Sequence, residues 1–170
     1  QNILGYYPGI QFPEGAPLKP AVALTYAKQR IAVATKVLGE SWDVKDEDIL
    51  KHYENRRWLP LLNERVLKTA PTAEQKGRLL AGTILHPAYL RTYTQGRTAC
   101  HILGSVGKVR PMPTGVLDPQ DPFYPEMVGR DGLEAAYEEK LKGTAGQMNM
   151  LFDGQGRKIS EEITQHPVPG

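Results

Sequence analysis

One cysteine, Cys100, stands among 170 residues. A lone thiol makes no internal disulfide and excludes any zinc site built on two or more thiolates. No apolar run approaches the ~18–20 residues that cross a bilayer. The start, QNILGYYPGI, has neither the basic nor the apolar region of a signal peptide, and it has no Met, as in a fragment or a processed form. Neither charge prevails: 21 basic and 19 acidic residues, spread along the chain, leave a formal net charge of +2. That balance gives no case for nucleic acid as a partner, which would select a clustered basic face. His52, His86, His101 and His166 are scattered, with no i,i+4 histidine pair. No spacing therefore calls for a metal or a cofactor. The carboxylate runs at 46–48, 138–139 and 161–162 read as solvated faces and helix-end charges rather than as an acid/base pair.

Hydrophobic residues make up 40% and charged residues 24%, a globular composition. Residues 1–20 carry Pro8, Pro13, Pro17 and Pro20 with three glycines, so they read as an extended arm with little core of its own, packed on a neighbour or mobile. The remainder, 21–170, reads as one module in two lobes. Ala23, Ala27, Ile31, Ala34, Val37 and Leu38 recur at helical spacing up to a stop at Gly39, and a second helix is expected at DEDILKHYENR. WLPLLNERVL reads as extended. Thr72 opens a helix with Gln75 in capping-box position, and TILHPAYLRTY is extended around Pro87. RTACHILGSVG reads as a short helix ending in glycine, and residues 107–128, with five prolines, as a long loop. MNMLFDGQGRKISEEIT has the pattern of two strands joined at DGQG. The class is α+β, with short helices and a late β-hairpin.

Two glycine-containing stretches hold most of the pattern. GSVGK fails as a phosphate loop, because Ile102 stands where the first glycine belongs and Val109 follows Lys108. Its SVGK also spells Ser-x-x-Lys, the nucleophile motif of β-lactam-binding enzymes, with Ser105 and Lys108 one helical turn apart. The adjoining glycines make a poor helix, and the Ser-x-Asn and Lys-Thr-Gly elements that accompany that motif are missing. The second stretch is GRDGLEAAYEEKLKGTAG, residues 129–146. It reads as a helix over 132–142, capped by Asp131 with Glu134 reaching back. Leu133, Ala136, Tyr137 and Leu141 form an apolar stripe by which the helix docks, Glu138 and Lys142 sit four apart, and Gly143 supplies a left-handed end. The Gly-x-x-Gly opening follows a Pro-rich loop rather than an expected strand, which weakens a phosphate-cradle reading.

GRDGLEAAYEEKLKGTAG resembles the Gly-x-x-Gly-Leu-Glu…Tyr…Leu-x-Gly-x-x-Gly signature of the non-catalytic dimerisation, or pedestal, domain of class B penicillin-binding proteins. Gly129, Gly132, Leu133, Glu134, Tyr137, Leu141, Gly143 and Gly146 carry the match. Upstream, LRTYTQGRTACHILGSVG is similar to the family's Arg-x-Tyr-Pro-x-Gly…Ala-His-x-Leu-Gly-x-Val-Gly stretch through Arg91, Tyr93, Gly96, His101, Leu103, Gly104, Val106 and Gly107, with Thr94 where proline is usual. The resemblance spans about residues 30–170 and implies a pedestal fold without catalytic residues, metal or cofactor. It implies a parent that cross-links peptidoglycan as a serine D,D-transpeptidase, on the extracytoplasmic face of the bacterial membrane, anchored by a transmembrane helix that this chain lacks. The implied partners are the parent's own transpeptidase domain, a membrane glycosyltransferase, scaffold proteins of cell-wall synthesis and a second copy in a homodimer. Glu134 and Arg91, one in each motif, are expected to pair and lock the helix to the LRTY segment. A free-standing extracytoplasmic adaptor of the same fold and a small Ser–Lys hydrolase remain open as other readings.

Overall fold

The computed structural model describes residues 2–92, 99–108, 127–155, 157–166 and 168; of Asn2, Ile3, Tyr89, Arg91 and Lys108 it describes the backbone alone. Strand β1 (Asn2–Ile10) pairs antiparallel along its whole length with β3 (Thr83–Arg91), from Asn2 opposite Arg91 to Ile10 opposite Thr83. On its other edge β1 pairs with the short β2 (Leu61–Leu62), in the order β2-β1-β3. Residues 2–10, read above as part of an extended arm, form a strand. They are the central strand of the sheet, because the rest of the chain supplies a partner on each side.

Two prolines sit in this sheet without breaking it. Even-numbered residues of β1 turn their polar groups toward β2 and the chain after it: Tyr6 exchanges bonds with Leu67, and the Pro8 carbonyl accepts from the Asn63 N–H at 2.7 Å. The odd-numbered residues therefore face β3, and Pro87, opposite Tyr6, falls at a position where β1 asks for no N–H. Pro8 has no N–H to give on the β2 side. The strand β2 stops at Leu62, and the chain bows out through 63–66 before pairing again at Leu67.

Two helices cover one face. Helix α1 (Pro20–Leu38) starts with proline in its first turn and ends where Gly39, at φ 77°, donates to the Thr35 carbonyl. Its Ala23, Ala27 and Ala34 are buried, and such small residues let the helix lie close on Ile10 and Phe12. Helix α2 (Asp46–Arg56) carries Asp46, Glu47 and Asp48 in its first turn, where the helix dipole favours acids. It buries Ile49, His52, Tyr53 and Arg56, one face at i, i+3, i+4 and i+7. The Phe12 ring meets Tyr53 edge-on at 4.8 Å between centroids. The six-residue α3 (Ala73–Arg78) opens with the expected capping box: Thr72 accepts from Gln75 N, and Gln75 Oε1 accepts from Thr72 N.

His52 gives this core a pH dependence. Its Nε2 lies 3.0 Å from the Leu59 carbonyl, which calls for a proton on Nε2. Burial pushes the imidazole below its ordinary value, and nearby Arg56 adds to that, against the opposing pull of the Leu59 carbonyl. A depressed folded-state value means that the unfolded chain binds the proton more tightly. The contribution is complete above about pH 6.5, the unfolded value, and is lost as pH falls below it. The expected result is a melting temperature that declines between pH 7 and 5, with a shallower decline in His52→Gln. Equal slopes in calorimetric scans would refute it.

The later elements are short: α4 (Cys100–Leu103), β4 (Val106–Lys108), β5 (Met127–Gly129), α5 (Gly132–Ala136) and α6 (Glu138–Leu141), then the hairpin β6 (Gln147–Phe152) and β7 (Lys158–Gln165). Strands β4 and β5 pair antiparallel at the two ends of the expected long loop, whose residues 109–126 lie outside the described residues. The hairpin forms where DGQG predicts it, its turn closed by Asp153 Oδ1 accepting from Gln155 N and Arg157 N. Met148, Met150 and Phe152 alternate as its half-buried residues. Phe152 packs on Trp58 with ring centroids 5.4 Å apart, and Arg57 donates to the Gln155 carbonyl at 3.0 Å. The hairpin is thus fastened to the end of α2 across a cavity of about 250 Å3 lined by Phe12, Trp58, Met148, Met150 and Phe152.

Candidate functional site

The two glycine-containing motifs meet. Strand β4, which follows α4, pairs with β5, which precedes α5, placing Val106 opposite Gly129 and Gly107 opposite Val128. The Arg130 N–H donates to the Ser105 carbonyl at 2.8 Å. The chains then cross so closely that side chains have no room. A Cβ on Gly132, whose φ is 58°, would lie 2.5 Å from the Ile102 carbonyl oxygen and 2.6 Å from Gly104 N. One on Gly129 would lie 2.6 Å from Ala135 N and overlap the Glu134 carbonyl. Gly104, at φ 82°, faces the Asp131 backbone in the same way, and a Cβ on Gly107 would lie 2.9 Å from Arg130 Nε. The start of α5 is therefore filled by the chain's own α4–β4 corner. The opening glycines interlock two segments and leave no phosphate cradle.

Several local expectations give way to this interlock. Asp131 stands at the N-cap of α5 but makes no side-chain cap; its Oδ1 accepts from Ser105 N and, at 3.0 Å, from Ser105 Oγ. The helix expected over 132–142 is two pieces that break at Tyr137, with φ −112° and ψ 18°. Glu138, expected to pair with Lys142, instead turns to β5, and its Oε2 accepts from Gly129 N at 2.7 Å. Its Oε1 is buried with no hydrogen-bond partner among the described residues, so Lys142 does not reach it. The apolar stripe does not dock. Leu133, Tyr137 and Leu141 are 43%, 50% and 37% exposed, whereas Glu134 is 6% exposed. The least exposed residues of α5–α6 are the i,i+4 pair Glu134 and Glu138, of which Glu138 reaches β5. Lys140 lies over the Tyr137 ring at 5.9 Å.

The remaining motif residues fall around the interlock. His101 lies exposed on α4. Gly143 has the expected left-handed φ, 70°, after α6, and Gly146 directly precedes β6. The Arg91 backbone ends β3 opposite Asn2. Its side chain lies outside the described residues, as do Tyr93 and Gly96 and with them the Glu134–Arg91 pairing. Ser105 sits between the end of α4 and the start of β4, not on a helix. Lys108 stands on β4 and its side chain lies outside the described residues, so the expected one-turn helical spacing of Ser105 and Lys108 has no helix beneath it.

Sequence reasoning missed Ser105 as the partner of Asp131, Glu138 as the grip on β5, and Thr144. The Thr144 N–H donates to the Val168 carbonyl at 2.8 Å, and the Thr144 carbonyl accepts from the Val168 N–H at 3.0 Å. The GTAG spacing was the available signal for Thr144, since a helix end needs one such glycine and this stretch has two.

An α+β module built on interlocked glycine turns is the class that this fold and site define. Residues 19–170 match the Penicillin-binding Protein dimerisation domain, and the chain belongs to that family. It is 30% identical over 135 residues to the peptidoglycan D,D-transpeptidase MrdA of Haemophilus influenzae, covering 74% of this chain and 21% of that protein. It is 25% identical over 137 residues to stage V sporulation protein D of Bacillus subtilis, covering 79% of this chain and 19% of that protein. The chain thus spans about a fifth of the length of these curated relatives. Among solved structures it resembles the penicillin-binding protein PBP2 of Helicobacter pylori in its complex with MreC. There the TM-score is 0.58 and the identity 20%, over 99% of this chain and 30% of that one, a likeness of fold. No helix among the described residues is long and apolar enough to cross a membrane.

Proposed function

We propose that this chain is the pedestal module of a class B penicillin-binding protein, a peptidoglycan D,D-transpeptidase. It holds the catalytic domain away from the membrane, orients it, and contacts partners of cell-wall synthesis on the extracytoplasmic face of the cytoplasmic membrane. The observation that carries this reading is the interlock of Gly104, Gly129 and Gly132 within a chain that belongs to the dimerisation-domain family. Side chains at these positions are excluded by backbone, which is how a rigid joint is built and not how a substrate is bound. The MrdA relative supports a transpeptidase as the parent. The MreC complex of the structural neighbour supports a scaffold protein as one partner. A membrane glycosyltransferase and a second copy of the chain complete the proposed set.

The rival hydrolase reading needs Ser105 as a nucleophile with Lys108 as its base. Ser105 Oγ donates to Asp131 Oδ1, the same oxygen that accepts from Ser105 N, so this hydrogen bond belongs to the interlock of the two segments. The expected result is no covalent adduct when the chain is incubated with benzylpenicillin and its intact mass is measured. A mass gain of one penicilloyl group, lost in Ser105→Ala, would overturn the pedestal reading.

A further inference from the structure

We propose that the second glycine bracket, Gly143–Gly146, is a clasp for the outgoing chain, and that Thr144 is the positioning residue that fixes the line along which the polypeptide leaves the hairpin. A helix end needs only Gly143, whose φ of 70° turns the backbone out of α6. It does not need a second glycine three residues on, nor a partner near the far end of the chain. Thr144 has that partner, because it exchanges both backbone hydrogen bonds with Val168. The pairing continues the hairpin in register. Gln147 lies opposite Gln165, and Thr144, three residues earlier, lies opposite Val168, three residues later. In sequence Val168 stands between Pro167 and Pro169, neither of which has an N–H. Val168 thus carries the one backbone donor of that run, and the donor goes to Thr144.

The clasp is rooted in the rest of the molecule. Before it, α6 is held to β5 through Glu138 and Gly129 N. After it, β6 packs Phe152 on Trp58 at the end of α2. Thr144 therefore ties the departing strand to both motif and hairpin, through backbone atoms alone. This deepens the positioning reading given above, but it concerns the chain by itself. Its test needs no catalytic domain, so the failure of one leaves the other standing.

The test uses pulsed electron paramagnetic resonance on the chain with Cys100→Ser and nitroxides at Lys51→Cys, on α2, and Gly170→Cys. A narrow distance distribution is expected in this parent and in Thr144→Ala, which keeps both backbone bonds. At least a twofold broadening is expected in Thr144→Pro, which loses the donor, with amide protection at Met150 and Ile163 retained. A distribution already broad in the parent, or one that Thr144→Pro leaves unchanged, overturns the clasp. Should the proline unfold the hairpin, amide exchange at Val168 in the unsubstituted chain decides. Protection at least tenfold above an unstructured peptide upholds the clasp, and none overturns it.

Discussion

Deleting residues 1–16 is expected to abolish the cooperative unfolding of the N-terminal half of the chain. The segment contains β1, which among the described residues is the one strand that touches both β2 and β3, so its removal takes away their common partner. It also carries Ile10 and Phe12, which are 0% and 2% exposed at the centre of the cluster that α1 and α2 cover. Truncating buried residues of these types costs about 2–5 kcal/mol for isoleucine and 3–5 for phenylalanine. Net stability of a domain is typically only ~5–15 kcal/mol. Loss of both side chains together with the ladder therefore exceeds what the remainder can sustain. Circular dichroism during urea titration should show no sigmoidal transition for α1 and α2 in the deleted chain. The single change Ile10→Ala should keep the transition and shift it by about 2–5 kcal/mol. A deleted chain that unfolds as cooperatively as the intact one would return residues 1–16 to the status of a dispensable arm.

Gly129→Ala is expected to be strongly damaging to the C-terminal half. The new methyl group would overlap the Glu134 carbonyl and lie 2.6 Å from Ala135 N. Those are backbone atoms, so no rotamer change relieves the overlap. Either β5 separates from α5, losing the bond from Gly129 N to Glu138, or the β4–β5 pair shifts. Overpacking typically costs about 1–3 kcal/mol where side chains can yield. With backbone on both sides the upper end, about 3 kcal/mol or more, is expected. Gly77→Ala is the control, since it lies within α3 with nothing inside 4 Å of its added methyl group. Alanine in an open helix interior should stabilise by ~0.5–1 kcal/mol. A Gly129→Ala chain with unchanged urea midpoint, and unchanged amide shifts in β4 and β5, would show that the interlock is looser than its geometry.

What the sequence determined by itself was whatever a few adjacent residues can dictate. Thr72 and Gln75 close a capping box within three residues, and Gly39 ends α1 by its own backbone freedom. Asp153 and its glycine-flanked turn close a hairpin by bonds to residues two and four positions away. Tertiary structure alone decided which partner each group took. Pro8 and its neighbours look like an arm because their partners lie more than fifty residues downstream, where no local pattern points to them. Asp131 is a sound helix cap until Ser105, 26 residues away, takes its oxygen. Leu133, Tyr137 and Leu141 make a good docking stripe until Glu138 is drawn to Gly129 N and turns the opposite face inward. Thr144 and Val168 meet through N–H and C=O groups that nearly every residue carries, so their pairing has no signature in residue type.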